Sequence, residues 1–268
     1  MERRTIVSQV DLEHWSRLAA KYRAPMSWRL YYARLLQGID LSDRTILDIG
    51  GGVGLASTYA LAHGAQRATL LEPEAAGSRN RQLDYARRMR DELNLGDRFE
   101  IRSDTLQAFD GRGAPFDVAV LEASINHLDE DAVISMLESE ASRARYREII
   151  GKMASLLRPG ATIVISDCAR HNFFGDLGLR NPLVPSIDWK KHQQPKTWIK
   201  LLETCGFSSA TVHWGIHSTL GPWGRRLLGN AFVFYFLSSY FILTMRYDGY
   251  SSLDKRAGET TVARAGAS

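Results

Sequence analysis

The feature that most constrains this chain is a short apolar segment running directly into a cluster of glycines and then into a helix pattern. Thr45-Ile46-Leu47-Asp48-Ile49 reads as a buried strand, Gly50-Gly51-Gly52-Val53-Gly54 as a tight turn, and Leu55 to His63 as a helix stopped by Gly64. Glycines at such a junction let the backbone approach a ligand closely. The first turn of the helix adds N–H groups that have no partner within the helix.

The rest of the chain repeats the alternation. Ala68 to Glu72 is a second strand ended by Pro73, followed by a charged helix from about Ala75 to Leu93 with Gly96 just beyond it. Phe99 to Arg102 and Phe116 to Leu121 are the third and fourth strands. Tyr146, Ile149, Ile150, Met153, Leu156 and Leu157 then recur at helical spacing, Arg158-Pro159-Gly160 breaks that helix, and Ala161 to Ser166 is the fifth strand. After a further helix around Thr197 to Thr204, Ala210 to Trp214 and Phe241 to Met245 read as two closing strands. Strands that are continuous apolar runs between helices indicate a parallel sheet covered on both faces. The expected fold is therefore α/β, with a doubly wound, mostly parallel seven-stranded sheet.

Two additions flank that core. Residues 1–40 form a helical N-terminal cap, with one stretch from Val10 to Gln37 dense in aromatics (Trp15, Tyr22, Trp28, Tyr31, Tyr32). Residues 41–250 form the α/β domain, and 168–200 and 216–238 are insertions expected to line a substrate pocket, since ligands of open α/β sheets bind beyond the carboxyl ends of the strands. Residues 251–268, rich in Ala, Gly and Thr, read as a disordered tail.

Composition narrows the partners. The 268 residues hold 34 Lys and Arg against 30 Asp and Glu, scattered without a basic stripe, so no nucleic-acid partner is expected. Two distant cysteines, Cys168 and Cys205, suit a reducing, cytoplasmic setting, and the first residues lack a signal-peptide pattern. The run Ala231 to Met245 is too short to span a bilayer and reads as a core helix plus a core strand; its sharper reading is peripheral membrane contact. Monomer and homodimer remain open.

The glycine loop points to a ligand. A dinucleotide fingerprint needs G-x-G-x-x-G/A, but counting from Gly50 puts Leu55 at the third position and counting from Gly52 puts Ser57 there, so a nicotinamide-dependent oxidoreductase is disfavoured. The acid Asp48 at the strand end suits a cationic or amine ligand better than a pyrophosphate. Glu72, twenty-four residues later at the end of the second strand, is placed to accept hydrogen bonds from both hydroxyls of a ribose, and Asp104 in Ser103-Asp104-Thr105 suits an adenine amino group.

The run Ile46 to Gly54, then Glu72, Asp104 and Leu156-Leu157-Arg158-Pro159-Gly160, resembles a class I S-adenosylmethionine-dependent methyltransferase of the small-molecule type, over about residues 40–168. The resemblance implies a Rossmann-like fold and S-adenosyl-L-methionine as cofactor. It implies that Asp48, Gly50, Gly52 and Gly54 line the methionine part, that Glu72 binds the ribose, and that Asp104 and Thr105 hold the adenine. Glu122 matches the polar position beside the cofactor, and Tyr22 resembles an N-terminal tyrosine that closes over it.

Methyl transfer from a sulfonium is an in-line displacement that positioning and water exclusion promote, and a hydroxyl acceptor also needs a base. His127, just past the fourth strand, and His171, just past the fifth, are the candidate catalytic residues; His192 is a weaker third. His14 and His63 read as surface residues. Asp167 and Asn172 are weighed as metal ligands, and no metal is expected. The expected activity is O-methylation of a small, partly hydrophobic metabolite, such as a natural product or a lipid- or sugar-linked intermediate. C- or N-methylation by positioning alone, or a non-catalytic cofactor-binding subunit, are the alternatives.

Overall fold

The structure, a computed structural model, describes residues 10–22, 27–73, 81–111, 113, 115–215 and 229–249. The expected tail at 251–268 and the 216–228 part of the second insertion lie outside the described residues.

Seven strands form one sheet: β1 Thr45–Ile49, β2 Arg67–Leu71, β3 Phe99–Arg102, β4 Phe116–Glu122, β5 Leu157–Cys168, β6 Phe207–Trp214 and β7 Tyr240–Tyr247. Their order is β3-β2-β1-β4-β5-β7-β6. The first five pair in parallel, and β7 runs antiparallel between β5 and β6. The chain leaves β1 towards β3 and returns on its other side as β4, so the strand order reverses at β1/β4, where such sheets open a crevice for ligands.

Helices cover both faces. On one side lie α1 Leu12–Tyr22, α2 Trp28–Leu35, α3 Leu55–Ala62 and α4 Gln82–Glu92; on the other lie α5 Glu130–Ser135, α6 Glu140–Ser155 and α8 Pro195–Glu203. α8 starts with Pro195 in its first turn, where the missing N–H is no loss, and buries Trp198, Leu201 and Leu202 at helical spacing. Asp129 and Ser139 cap α5 and α6 by accepting hydrogen bonds from Ala132 N and Ser142 N. Two short helices complete the carboxyl edge: α7 Phe173–Asp176 and α9 Ala231–Tyr235.

The structure corrects several sequence expectations. The N-terminal cap is two helices rather than one stretch from Val10 to Gln37. The described part of the charged helix begins at Gln82. β5 continues through Arg158-Pro159-Gly160: Phe116 pairs with Leu157 and Val118 with Thr162, so the intervening residues bulge out. Pro159 cannot donate to the ladder and Gly160 takes φ +89, which makes a bulge the local solution where the sequence suggests a break. β6 starts at Phe207, three residues before the expected strand. His14 and His63 are half-buried; the His63 ring stacks 4.0 Å from that of Tyr59. Of the run Ala231 to Met245, only the strand is core: β7 buries Phe241, Ile242, Leu243 and Met245, whereas α9 buries only Phe234 and leaves Phe232 73% exposed.

Candidate functional site

Two cavities adjoin at the β1/β4 switch point and share Gly50 and Ala123. The first, about 380 Å³, is lined by Ile49, Glu72, Pro73, Thr105, Leu106, Gln107, Ser124 and His127 among others. The second, about 240 Å³, is lined by Tyr22, Gly50, Gly51, Gly52, Val53, Gln82, Glu122 and Ala123.

The loop between them is held in a shape that requires glycine. Gly50, Gly52 and Gly54 take φ +67, +59 and +73. A Cβ on Gly50 would lie 2.6 Å from Ser124 Cβ, and Ser124 Oγ donates to Ile49 O at 2.5 Å, closing β1 against the end of β4. Gly54 lines neither cavity. A Cβ there would meet the Phe99 ring at 2.6 Å, so this glycine lets α3 pack on the sheet.

Asp48 lies beneath the loop, fully buried, and accepts hydrogen bonds through Oδ2 from Ser57 N at 3.2 Å and Ser57 Oγ at 2.8 Å. Its Oδ1 is buried with no hydrogen-bond partner among the described residues. Burial, with smaller contributions from the negative Glu122 and Glu72 and against the Ser57 donors, pushes this carboxyl up to about 7. Glu72 follows β2, its Oε2 accepting from Gly52 N at 2.8 Å while the side chain lines the first cavity. Asp104 receives Arg102 Nε at 2.8 Å and lines neither cavity, whereas Thr105 beside it lines the first.

Glu122 ends β4 and is buried. Tyr31 Oη donates to its Oε1 at 3.0 Å and Tyr32 Oη to its Oε2 at 2.7 Å, so helix α2 is pinned to the carboxyl edge. Burial, then the nearby Tyr240 and Glu122, holds the Tyr31 phenol well above its ordinary value, so it acts as a neutral donor. Tyr22, at the end of α1, stacks on Tyr85 at 5.2 Å and donates to Glu92, placing its ring over the second cavity.

The two candidate catalytic histidines face different cavities. His127 lines the first, with Nδ1 2.6 Å from Glu130 Oε1; Lys191 bonds the other oxygen of that carboxylate. His171 lines a separate cavity of about 580 Å³ with Ile199, Val212, Trp214, Ala231 and Tyr235, and its Nδ1 is 3.0 Å from Asp176 Oδ1. His192 has a buried partner: its Nδ1 donates to Asp167 Oδ1 at 2.8 Å, and Asp167 is 1% exposed. Asp167 and Asn172 do not converge as metal ligands, since Asn172 Oδ1 caps α7 through Gly175 N. Among the described residues no three His, Cys, Asp or Glu side chains are grouped to hold a metal ion.

No sequence pattern singles out Gln82, Gln107, Ser124 or Ala123. Ser124 and Ala123 follow β4, where Ala123 takes φ +50, a turn that no residue type signals. Tyr31 and Tyr32 stood out only as aromatics, and their carboxylate partner lies about ninety residues away.

The glycine cradle, with Asp48 Oδ1 packed directly under Gly51, and the acid at the end of β2 fit a ligand that lies on the loop and carries a ribose. A family model described as a methyltransferase domain matches residues 19–212. The chain belongs to the methyltransferase-domain family. No curated protein is a significant match to the chain. Solved structures share its fold: the [4+2]-cyclase SpnF is similar with a TM-score of 0.54 at 14% identity, covering 83% of this chain and 81% of that one. An O-methyltransferase family protein from Burkholderia thailandensis has a TM-score of 0.53 at 17% identity, covering 88% and 57%. The N,N-8-amino-8-demethyl-D-riboflavin dimethyltransferase RosA from Streptomyces davawensis has a TM-score of 0.52 at 17% identity, covering 82% and 54%. This methyltransferase spans a little over half the length of the latter two.

Proposed function

We propose that this enzyme O-methylates a small, partly hydrophobic metabolite of natural-product or lipid- or sugar-linked type, using a histidine base, in the cytoplasm, as a monomer or homodimer and without a nucleic-acid partner. The observation that carries the reading is the pair of adjoining cavities at the β1/β4 switch point, one bordered by Glu72 and the other by Glu122 and Tyr22. S-adenosylmethionine supplies a methyl group on a sulfonium, a carbon already bonded to a good leaving group. The chain's own contribution is then to bind, align and exclude water.

In this reading Asp48, through the loop above it, and Gly50, Gly52 and Gly54 shape the site for the methionine part. Glu72, held by Gly52 N at the end of β2, borders the first cavity where the ribose hydroxyls lie. Thr105, with Asp104 behind it, borders the adenine end, and Tyr22 covers the opposite end. Glu122, fixed by two phenols, lies beside the cofactor. The base is His127 or His171, each oriented by a carboxylate on Nδ1, and His192 joins them because its carboxylate is buried. Each leaves Nε2 to take a hydroxyl proton.

The named neighbours support a natural-product acceptor but span O-methyl transfer, N,N-dimethylation and a [4+2] cyclisation, so N- or C-methylation by positioning alone and a non-catalytic cofactor-binding role are the competing readings. Isothermal calorimetry with S-adenosylmethionine and S-adenosylhomocysteine, on wild type and Glu72→Ala, tests the site. Micromolar binding that collapses in the variant supports it, and equal binding by both proteins sinks it. Incubation with cofactor and a metabolite extract then separates turnover from mere binding, because only an enzyme accumulates S-adenosylhomocysteine.

A further inference from the structure

Nine large apolar side chains stand exposed among the described residues, and six of them fall in two short segments: Leu177, Leu179 and Leu183 after α7, and Phe232, Phe236 and Leu237 on and after α9. Single exposed leucines are ordinary, but a contiguous set marks an interaction surface. These six are contiguous because the segments are tied together. The Phe173 ring packs on Phe236 at 5.2 Å and on Tyr235 at 6.4 Å, and Asn181 Nδ2 donates to Leu237 O at 2.6 Å. Phe232 on α9 and Phe236 at its C-cap lie four residues apart with ring centroids at 5.3 Å, so they project from one outward face.

Charge identifies what covers this rim. Residues 170–200 hold six Lys and Arg against two acids, a net of +4 that equals the formal excess of the whole 268-residue chain. Both acids are engaged locally, Asp176 with His171 and Asp188 in capping the turn at Trp189, while Arg180, Lys190, Lys196 and Lys200 are exposed. A symmetric dimer through this face would set the same cationic stretch against itself, which opposes a second copy as the occupant. No helix among the described residues is long and apolar enough to cross a membrane, so contact with lipid here is peripheral.

We propose that this rim docks the protein on an anionic lipid surface. The phenylalanines and leucines enter the headgroup boundary, and Arg180 among the leucines, with the other exposed Lys and Arg of residues 170–200, provides the charge that attracts anionic headgroups. The rim lies at the carboxyl edge of the sheet, the edge that also carries the cofactor cavities. Behind it opens the apolar cavity of about 580 Å³ that α9 borders through Ala231 and Tyr235, so an acceptor with an apolar body reaches the protein from the lipid side. This last step rests on the methyl-transfer reading; the docking does not.

Sedimentation of the full chain with vesicles tests it. Vesicles of phosphatidylcholine and phosphatidylglycerol in equal parts should retain the protein at least about tenfold better than phosphatidylcholine alone, and added salt should weaken the binding. Phe232→Ser with Phe236→Ser, and separately Arg180→Glu with Lys190→Glu, should each lower retention about tenfold while cofactor calorimetry stays unchanged. Leu179→Ser with Leu183→Ser gives a second apolar variant should the first lose its fold. Wild-type protein that ignores anionic vesicles, or variants that bind like wild type, overturn the proposal. So does a concentration-dependent dimer abolished by the same apolar variants. Intact cofactor binding with no vesicle binding removes the docking alone, and vesicle binding without cofactor binding removes the cofactor-site reading alone.

Discussion

His192 Nδ1 lies 2.8 Å from Asp167 Oδ1, and this pair ties the middle of the 168–200 excursion to the carboxyl end of β5. Asp167 also accepts from its neighbour Cys168 N on the same oxygen, and its Oδ2 is buried without a partner among the described residues. A buried carboxylate with so few donors has a strong interest in keeping the imidazole. The bond fixes the ring's orientation and its Nδ1 proton, leaving Nε2 as the acceptor.

That geometry makes the histidines separable by experiment. If His192 is the base, His192→Ala lowers kcat by roughly 10²–10⁴-fold with cofactor affinity unchanged, and Asp167→Asn lowers it less. If the base is His127 or His171, the loss appears in that alanine variant instead. Retention of near wild-type kcat by all three would end the general-base idea and favour transfer by positioning alone.

The glycine loop offers a graded test. Gly50 and Gly52 both take positive φ, but a Cβ on Gly50 meets Ser124 Cβ at 2.6 Å, while one on Gly52 first meets the tip of the Gln82 side chain at 3.5 Å. Gly52→Ala therefore carries the backbone strain, about 1–3 kcal/mol, and Gly50→Ala adds displacement of Ser124 from Ile49 O. Thermal melting should rank Gly50→Ala below Gly52→Ala, and calorimetry should show the larger loss of cofactor affinity at Gly50.

The strands and the glycine loop were legible because their signals are local: apolar runs, alternating helix periods and punctuating glycines lie within a few residues of each other. What was illegible depends on docking over distance. The Tyr31 and Tyr32 phenols find Glu122 only because α2 lies across the end of β4, and His192 finds Asp167 through a loop with no periodicity. The apolar run Ala231 to Met245 misled for a related reason. Composition cannot tell a helix that faces the core from one that faces outward, and α9 faces outward.

Glu122 supplies a third prediction. It is buried at the edge of the second cavity, and both oxygens accept from phenols, so Tyr32→Phe removes a donor from a largely buried carboxylate. The expected cost is about 1–3 kcal/mol, and the Tyr31→Phe and Tyr32→Phe costs should be non-additive because both phenols donate to one carboxylate. Denaturant melts of the two single variants and the double variant measure the coupling.

Asp48 links the site to pH. Burial raises its carboxyl to about 7 from the ordinary 3.8, so between those values the folded chain keeps a proton that the unfolded chain has released. Its contribution to stability is therefore full below the unfolded value, declines by at most ~1.4 kcal/mol per pH unit across that window, and levels off above it. Asp48→Asn cannot ionise, so its melting temperature should gain on wild type as pH rises from about 5 to about 8. A cationic ligand group held on the glycine loop above Asp48 favours the ionised form, so cofactor uptake near neutral pH should release protons from wild type and none from the variant. Calorimetry in buffers of different ionisation enthalpy reads that release, and equal proton release by both proteins would remove Asp48 from the cofactor's surroundings.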